Sequence, residues 1–457
     1  MSLIDKALMI ADETKAIDFG DSVLDHTGQI FFHFFPDKQV LIIADENTYA
    51  AAGDAVLNCL KDAGVRMADE PLIFPGRPTL YADYDNVVIV RDRLAALPDA
   101  VACSIAAGTL NDIVKLASAE VGRPYINVCT AASVDGYSAF GASISRDGFK
   151  ITRPCPAPIA LIADVDVLVH APQRLTSTGY GDLIEKIPAG ADWILADALG
   201  LDPINEDAWE IVQAPLRTAL DHPDLIACSD RGAVTELAQC NLLSGLAMQA
   251  TKSSRPASGA GHQFSHVWEM EGHGLDWEPP LSHGFKVAVG TVASCALWQA
   301  ALSLDLRNLD IGKLVETAPD DATIRDRVVS LLPPQVAEEA LEISLAKNLR
   351  GEALRQRLYD IQASWDLVKH RVRNQLLPPD QVARMLSAAG APYHPNMIGI
   401  TMDHFRTTHF TAQMIRARYT ILDLLADLQM LSGVVDRLFS ADGYWGGVTG
   451  EAAHGTP

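Results

Sequence analysis

The chain has 457 residues, 48% of them apolar and 21% charged, with a formal net charge of −22. That length exceeds one ordinary core and predicts two globular domains. The negative balance disfavours nucleic acid and anionic lipid as partners, and no apolar run reaches the ~18–20 residues of a membrane span.

The first residues, "MSLIDKALMIADETKAIDFG", are acidic and lack the basic-then-apolar order of a signal peptide, so a cytoplasmic protein is expected. Residues 1–170 then alternate short apolar runs with helical segments. "QVLIIADENTY" (39–49) is a buried-type strand, and "AAAGDAVLNCLKDAG" (50–64) has helical period. "MADEPLIFPG" offers a short strand. "DAVACSIAAGTLNDIVKLASAEVG" (99–122) reads strand, small-residue turn, helix, and "PYINVCTAAS" (124–133) runs from strand into turn. This rhythm predicts a Rossmann-like parallel sheet. Beyond residue 170 helical patterns dominate, at 205–251, 284–304, 334–374 and 405–432. The expected architecture is therefore an α/β half (1–170) and an all-α half (171–457), with the active-site cleft between them and a loose Gly-rich tail from about 441. The seven widely spaced cysteines form no CxxC pair and predict buried free thiols.

Several residues carry candidate chemistry, each with a plainer reading beside it. In "SIAAGTLNDIVKLA" (104–117), small residues open the N–H groups of a helix start to a pyrophosphate, closest at Gly108; a tight turn without ligand fits equally well. Asp45 ends the first clear strand, where a carboxylate accepts from an adenosine ribose and disfavours a 2′-phosphate, or else caps the next helix. In "TAASVDGYSA" (130–139), Asp135 orients a hydroxyl at the sheet's carboxyl edge or is a turn aspartate. "LTSTGYGDLIEKIPAGADW" (175–193) opens a helix with Asp182 just inside it, as a metal ligand or a first-turn carboxylate favoured by the helix dipole. His262 and His266, four apart, share a helix face, and His283 begins another helix. One carboxylate and two imidazoles make an open site for a catalytic zinc, yet His273 and Glu269 compete on spacing alone.

Taken together the segments "GTLNDIVK" (108–115), "TAASVDGY" (130–137), "STGYGDLIEK" (177–186), "SSRPASGAGHQFSHVWEM" (253–270), "HGFKVAVG" (283–290) and "IRARYTILDLL" (415–425) resemble the iron-containing alcohol dehydrogenase and dehydroquinate synthase superfamily. Within it they look most like the sn-glycerol-1-phosphate dehydrogenases. The resemblance implies an oxidoreductase that uses NAD(H) and one divalent metal, zinc before nickel or iron, on a small phosphorylated polyol or ketose. It implies pyrophosphate contacts at Gly108, Thr109, Leu110, Asn111 and Asp112, and a nicotinamide-side lining of Thr130, Ala131, Ala132 and Ser133. Asp135 would touch substrate. Asp182, His262 and His283 would hold the metal, with Asp182 also beside the substrate, and His266 would serve substrate and proton transfer. Departures fall at Ala106 and Ala107 before Gly108, at Ala139, where the family commonly has a serine, and at Gly261, where an acidic residue is expected. "GHGLDWEPPLS" lengthens the His262–His283 span, and 305–395 is hard to match. Two rivals stand beside this reading: a relative acting on glycerol or another polyol, and a non-catalytic nucleotide-binding descendant. A homo-oligomer is compatible with either.

Overall fold

The structure, a computed structural model, describes residues 2–146 and 149–447. Strands β1 Ala16–Gly20, β2 Gln39–Asp45, β3 Arg66–Met67, β4 Leu72–Phe74, β5 Ala100–Ala106, β6 Tyr125–Cys129 and β9 Ala160–Asp164 make one parallel sheet. β7 Ala142–Arg146 and β8 Phe149–Arg153 form a separate antiparallel hairpin. The sheet runs β1-β9-β6-β5-β2, and β3 and β4 both pair with β2. Helices α1 Leu3–Ile10, α2 Thr27–Phe34, α3 Asp54–Asp62, α4 Tyr84–Ala96 and α5 Gly108–Glu120 belong to this half of the sequence. Val40–Ala44 are wholly buried, as parallel strands covered on both faces must be. Val40, Ile42 and Ala44 share a core with α2 and α3, while Leu41 and Ile43 face α4 and α5. The chain leaves β2 toward β3 and β4 on one side and returns to β5, β6 and β9 on the other. The crevice at that reversal lies beyond the carboxyl ends of β2 and β5, at Asp45 and Ala106.

From residue 165 onward the described chain is helical, apart from turns. The helices that build the site are α6 Gln173–Leu183, α7 Lys186–Ala198, α8 Arg231–Thr251, α9 Ala260–Met270 and α10 His283–Leu302. α10 is long and apolar enough to cross a membrane by composition, but it is the buried central column of the helical core, flanked by α9 and α6. α1 packs mainly on α8, so the start of the chain sides with the helices. All seven cysteines are free and five are buried; Cys228 is exposed.

Three sequence expectations need correction. The stripe at 405–432 is not one helix. α11 Met402–Met414 stops, Ile415–Tyr419 form a loop, and α12 Ile421–Asp427 restarts. The restart is fixed by Asp423, whose carboxylate accepts from Thr420 N (2.9 Å), and by Asp192, which accepts from Ile421 N (2.9 Å). Asp182 lies at the end of α6 and not in a first turn, so the N-terminal dipole does not explain it. Of the expected loose tail, residues 441–447 are ordered by Trp445, which is buried edge-on against Phe405; 448–457 lie outside the described residues.

Asp192 is the hub of the helical half. Its buried carboxylate accepts from Ala260 N (2.7 Å), Trp298 Nε1 (3.0 Å) and Ile421 N (2.9 Å), tying together α9, α10 and α12. Asp192→Ala strands three buried donors at ~1–3 kcal/mol each. We expect a loss of about 3 kcal/mol or more, read as a lower denaturant midpoint at unchanged slope. A wild-type midpoint would mean that the donors find other partners.

Candidate metal and dinucleotide site

The crevice beyond β2 and β5 is floored by the start of α5. The first N–H groups of a helix have no intrahelical acceptor; Asn111 N already donates to Ala107 O (3.2 Å), so Gly108, Thr109 and Leu110 offer the open amides. The remaining side chains of the predicted phosphate set are committed elsewhere. Leu110 is in the core beneath α5, Asn111 Oδ1 accepts from the Tyr125 hydroxyl (2.9 Å), and Asp112 Oδ2 accepts from Ser143 N (3.0 Å). The Ala106 methyl is also in that core, so of the two alanines only Ala107 borders the turn. Ala139 packs on Met248 and Ala257. Asp45 is a helix cap, its Oδ1 accepting from Asn47 N (2.8 Å) and Thr48 N (2.9 Å). It nevertheless stands at the crevice.

Thr130, Ala131, Ala132 and Ser133 form the buried turn after β6. This turn joins the two halves. A Cβ on Gly179 of α6 would sit 1.8 Å from Ala132 O, so only glycine admits the contact. Two residues on, Asp135 N donates to Asp182 Oδ2 (3.1 Å). The turn thus touches α6 one helical turn before Asp182 and again at Asp182 itself.

Three ligand atoms, one each from Asp182, His262 and His283, lie within 4.8 Å of one another. They come from the end of α6, the first turn of α9 and the start of α10. His262 Nε2 is 3.3 Å and His283 Nε2 4.0 Å from Asp182 Oδ1. That oxygen is fully buried; the Lys186 ammonium pairs with it at 3.5 Å but makes no hydrogen bond to it, so a buried acceptor is left unsatisfied. The donor set fits a divalent metal on this ground. Both histidines present Nδ1 to a carboxylate, Glu185 at 2.9 Å from His262 and Glu269 at 2.8 Å from His283. The second of these resolves the competition left open by spacing: Glu269 stands behind His283, with its other oxygen 3.0 Å from His266 Nδ1. His273 turns away to Ile398 O (2.5 Å).

The electrostatics favour a cation. Burial would push the Asp182 carboxyl up, but Lys186, His262 and His283 outweigh it and hold it far below the usual carboxylate range. Lys186 is fully buried; desolvation opposes its charge, and Asp135 (2.8 Å) and Asp182 (3.5 Å) keep it protonated. For His262, burial lowers the pKa, yet Glu185 and Asp182 raise it to about 9 in the metal-free protein. For His266, burial dominates and, helped by Arg416, drives it down to about 3 despite Glu269. His266 is therefore neutral at pH 7.

The structure brings Asp182, His262 and His283 together, with the His266 ring stacked against His283 at 6.0 Å. Asp135, expected to touch substrate, has its Oδ2 accepting from Ser244 Oγ (2.9 Å) and paired with Lys186. Sequence reasoning missed Glu185, Lys186 and Ser244. The first two follow Asp182 by three and four positions, the spacing of helical neighbours; nothing in the sequence points to Ser244.

The pattern of the iron-containing alcohol dehydrogenase family matches residues 18–172. The glycerol dehydrogenase of Schizosaccharomyces pombe has the same fold, with a TM-score of 0.58 at 14% identity over 94% of this chain and 91% of that one. The family pattern, together with the chain's curated relatives, makes it an oxidoreductase acting on CH–OH groups, of the iron-containing alcohol dehydrogenase type. The glycerol-1-phosphate dehydrogenase [NAD(P)+] of Halalkalibacterium halodurans is 33% identical over 331 residues, 69% of this chain and 82% of the relative. That of Bacillus velezensis is 33% identical over 322 residues, 69% and 80%. The chain belongs to the glycerol-1-phosphate dehydrogenase family.

Proposed function

We propose that this enzyme interconverts dihydroxyacetone phosphate and sn-glycerol 1-phosphate in the cytoplasm, working with NAD(H) and one divalent metal. The observation that carries the reading is the convergence of Asp182, His262 and His283 beside the turn that closes the dinucleotide crevice. Residues 1–170 would carry the nucleotide and 171–457 the metal. When bound, the dinucleotide gives or takes a hydride and the cation polarises the carbonyl oxygen. Three protein ligands leave an open position, and an Asp/His/His set suits zinc ahead of nickel or iron.

The chain's own groups do the rest. The open amides of Gly108, Thr109 and Leu110 bind pyrophosphate at the start of α5. Lys186 and Ser244 hold Asp135, and Asp135 N holds Asp182 Oδ2, so that Oδ1, approached by Lys186 at 3.5 Å, is turned toward His262 and His283. Neutral His266, with Nδ1–H toward Glu269, presents Nε2 as an acceptor. It takes the substrate hydroxyl proton in oxidation and returns it in reduction, while Glu269 steadies the imidazolium formed in between. Arg416, whose field reaches both His266 and Glu269, offers the cation that a phosphate needs in so acidic a protein.

Metal analysis and a substrate panel on one preparation test the whole reading. We expect turnover with dihydroxyacetone phosphate and little with dihydroxyacetone. Turnover of glycerol without glycerol 1-phosphate would transfer the enzyme to the polyol reading, and no NADH binding at all would make it a non-catalytic descendant.

The cofactor preference gives a separate prediction. A carboxylate at Asp45 repels a 2′-phosphate, so NADH should be preferred over NADPH. Asp45→Ser keeps a capping oxygen and removes the charge, and should narrow that preference without loss of stability. A wild-type enzyme that prefers NADPH in steady-state kinetics would leave Asp45 as a cap alone.

A further inference from the structure

We propose that Glu185 is a positioning residue that sets His262 for metal binding, and that position 261 is glycine because Glu185 fills the space a side chain there would need. The inference rests on the metal reading of Asp182, His262 and His283.

Glu185 sits at the break between α6 and α7 and is fully buried. Its Oε1 accepts from Gly259 N (3.1 Å), just before α9. Its Oε2 lies 2.9 Å from His262 Nδ1. The two atoms are within ion-pair reach but not aligned as a hydrogen bond, and neither has another partner. A Cβ at Gly261 would fall 2.9 Å from Glu185 Cγ and 3.0 Å from its Oε1. Real Cβ atoms do not approach so closely, and the fixed stem of a buried glutamate has little room to move. The bare position 261 and the carboxylate at 185 are two sides of one packing solution.

An imidazole binds a metal through a nitrogen with a free lone pair, so its proton must sit on the other nitrogen. A carboxylate behind Nδ1 keeps the proton there, orients the ring and raises the basicity of Nε2. In His262 that leaves Nε2 facing Asp182 Oδ1 at 3.3 Å. Glu269 stands behind His283 Nδ1 in a hydrogen bond of 2.8 Å, and the Nε2 of that ring faces the same oxygen. Each ligating histidine is thus backed by a carboxylate, Glu269 of α9 through a hydrogen bond and Glu185, from across the core, through an ion-pair contact. A role limited to receiving Gly259 N would use one oxygen only and would not aim the second at His262.

The test is titration of metal-stripped protein with zinc ions alone, against a competing chelating indicator. Wild type, Glu185→Gln and Glu185→Met are compared. We expect both variants to bind zinc about 10–100-fold more weakly, the usual cost of losing such a partner. Glu185→Gln keeps an acceptor for Gly259 N and should leave the unfolding midpoint of the metal-free protein near wild type, while Glu185→Met strands that donor and should lower it. Wild-type zinc affinity in either folded variant would overturn the proposal. So would a lowered metal-free midpoint with zinc affinity intact in the folded fraction, which is what a purely structural role predicts. Should Glu185→Met fail to fold, Glu185→Gln, which preserves shape, carries the same decision. Failure of the wild-type protein to bind zinc would instead strike the metal reading itself.

Discussion

His262→Ala should lose metal and turnover together. Asp182, His262 and His283 present one ligand atom each within 4.8 Å, and an open three-ligand site has none to spare. Removing His262 also leaves the buried Glu185 carboxylate and Asp182 Oδ1 facing a void. Lewis-acid stabilisation of a developing alkoxide is worth several kcal/mol, so the rate should fall by ~10³-fold or more. Elemental analysis and rate per folded molecule decide the matter; a His262→Ala protein with full metal content would place the ion elsewhere. The pH dependence has a definite sign. In the metal-free protein Glu185 and Asp182 hold His262 protonated up to about 9, against the opposing effect of burial. Below that pH, zinc must displace a proton to bind, so its affinity should fall by about tenfold per unit as pH drops. Affinity flat from pH 6 to 8 would contradict a protonated His262 in the metal-free protein.

Much of this site was legible because it is built from local patterns. The apolar runs at 39–45 and 100–106 announced buried parallel strands, and the small residues before Gly108 announced the turn onto α5. The four-residue spacing of His262 and His266 set both on one face of α9, and "SHGF" gave the start of α10. What stayed hidden depends on contacts between distant segments. No spacing rule brings Glu185 behind His262 or Ser244 to Asp135, since those pairs meet only when α6, α8 and α9 pack. Two glycines at 179 and 181 read as a helix start and so point to a first-turn Asp182, whereas it stands at the end of α6. They instead let the helix press against the turn at Ala132 and against α10. The break at 415–420 was overlooked for a different reason. The apolar stripe of 405–432 keeps helical period through the loop, while the decisive signal, Thr420 followed by Asp423, is only two polar residues in that stripe. Asp45 shows the converse: its local role as a cap was readable and is real, and its global role depends on where β2 ends in the sheet.

His266→Ala should separate catalysis from metal binding. His266 lies one turn beyond His262, its ring 6.1 Å from that ring and 6.0 Å from His283, yet it contributes no atom to the three-ligand cluster. Its Nδ1 is engaged by Glu269 Oε2 at 3.0 Å, and the same glutamate backs His283 through Oε1. Losing the imidazole therefore leaves His283 with its own carboxylate contact, and most of the metal should be retained. Turnover should fall by roughly the 10²–10⁴-fold of a lost acid–base group. Burial, with Arg416 nearby, drives His266 down to about 3 in the metal-free protein, so at neutral pH it is a neutral acceptor. Its own titration should then be missing from the wild-type rate profile between pH 5 and 8. A break near 6.5 that disappears in His266→Ala would show instead that the imidazole works as a stored acid. The competing account is that His266 only packs beside Glu269 and His283. On that account the alanine variant would unfold more easily while each folded molecule turned over at nearly the wild-type rate. Metal content, unfolding midpoint and rate per folded molecule, measured on the one variant, separate an acid–base group from a packing residue, because only the former loses rate at constant metal.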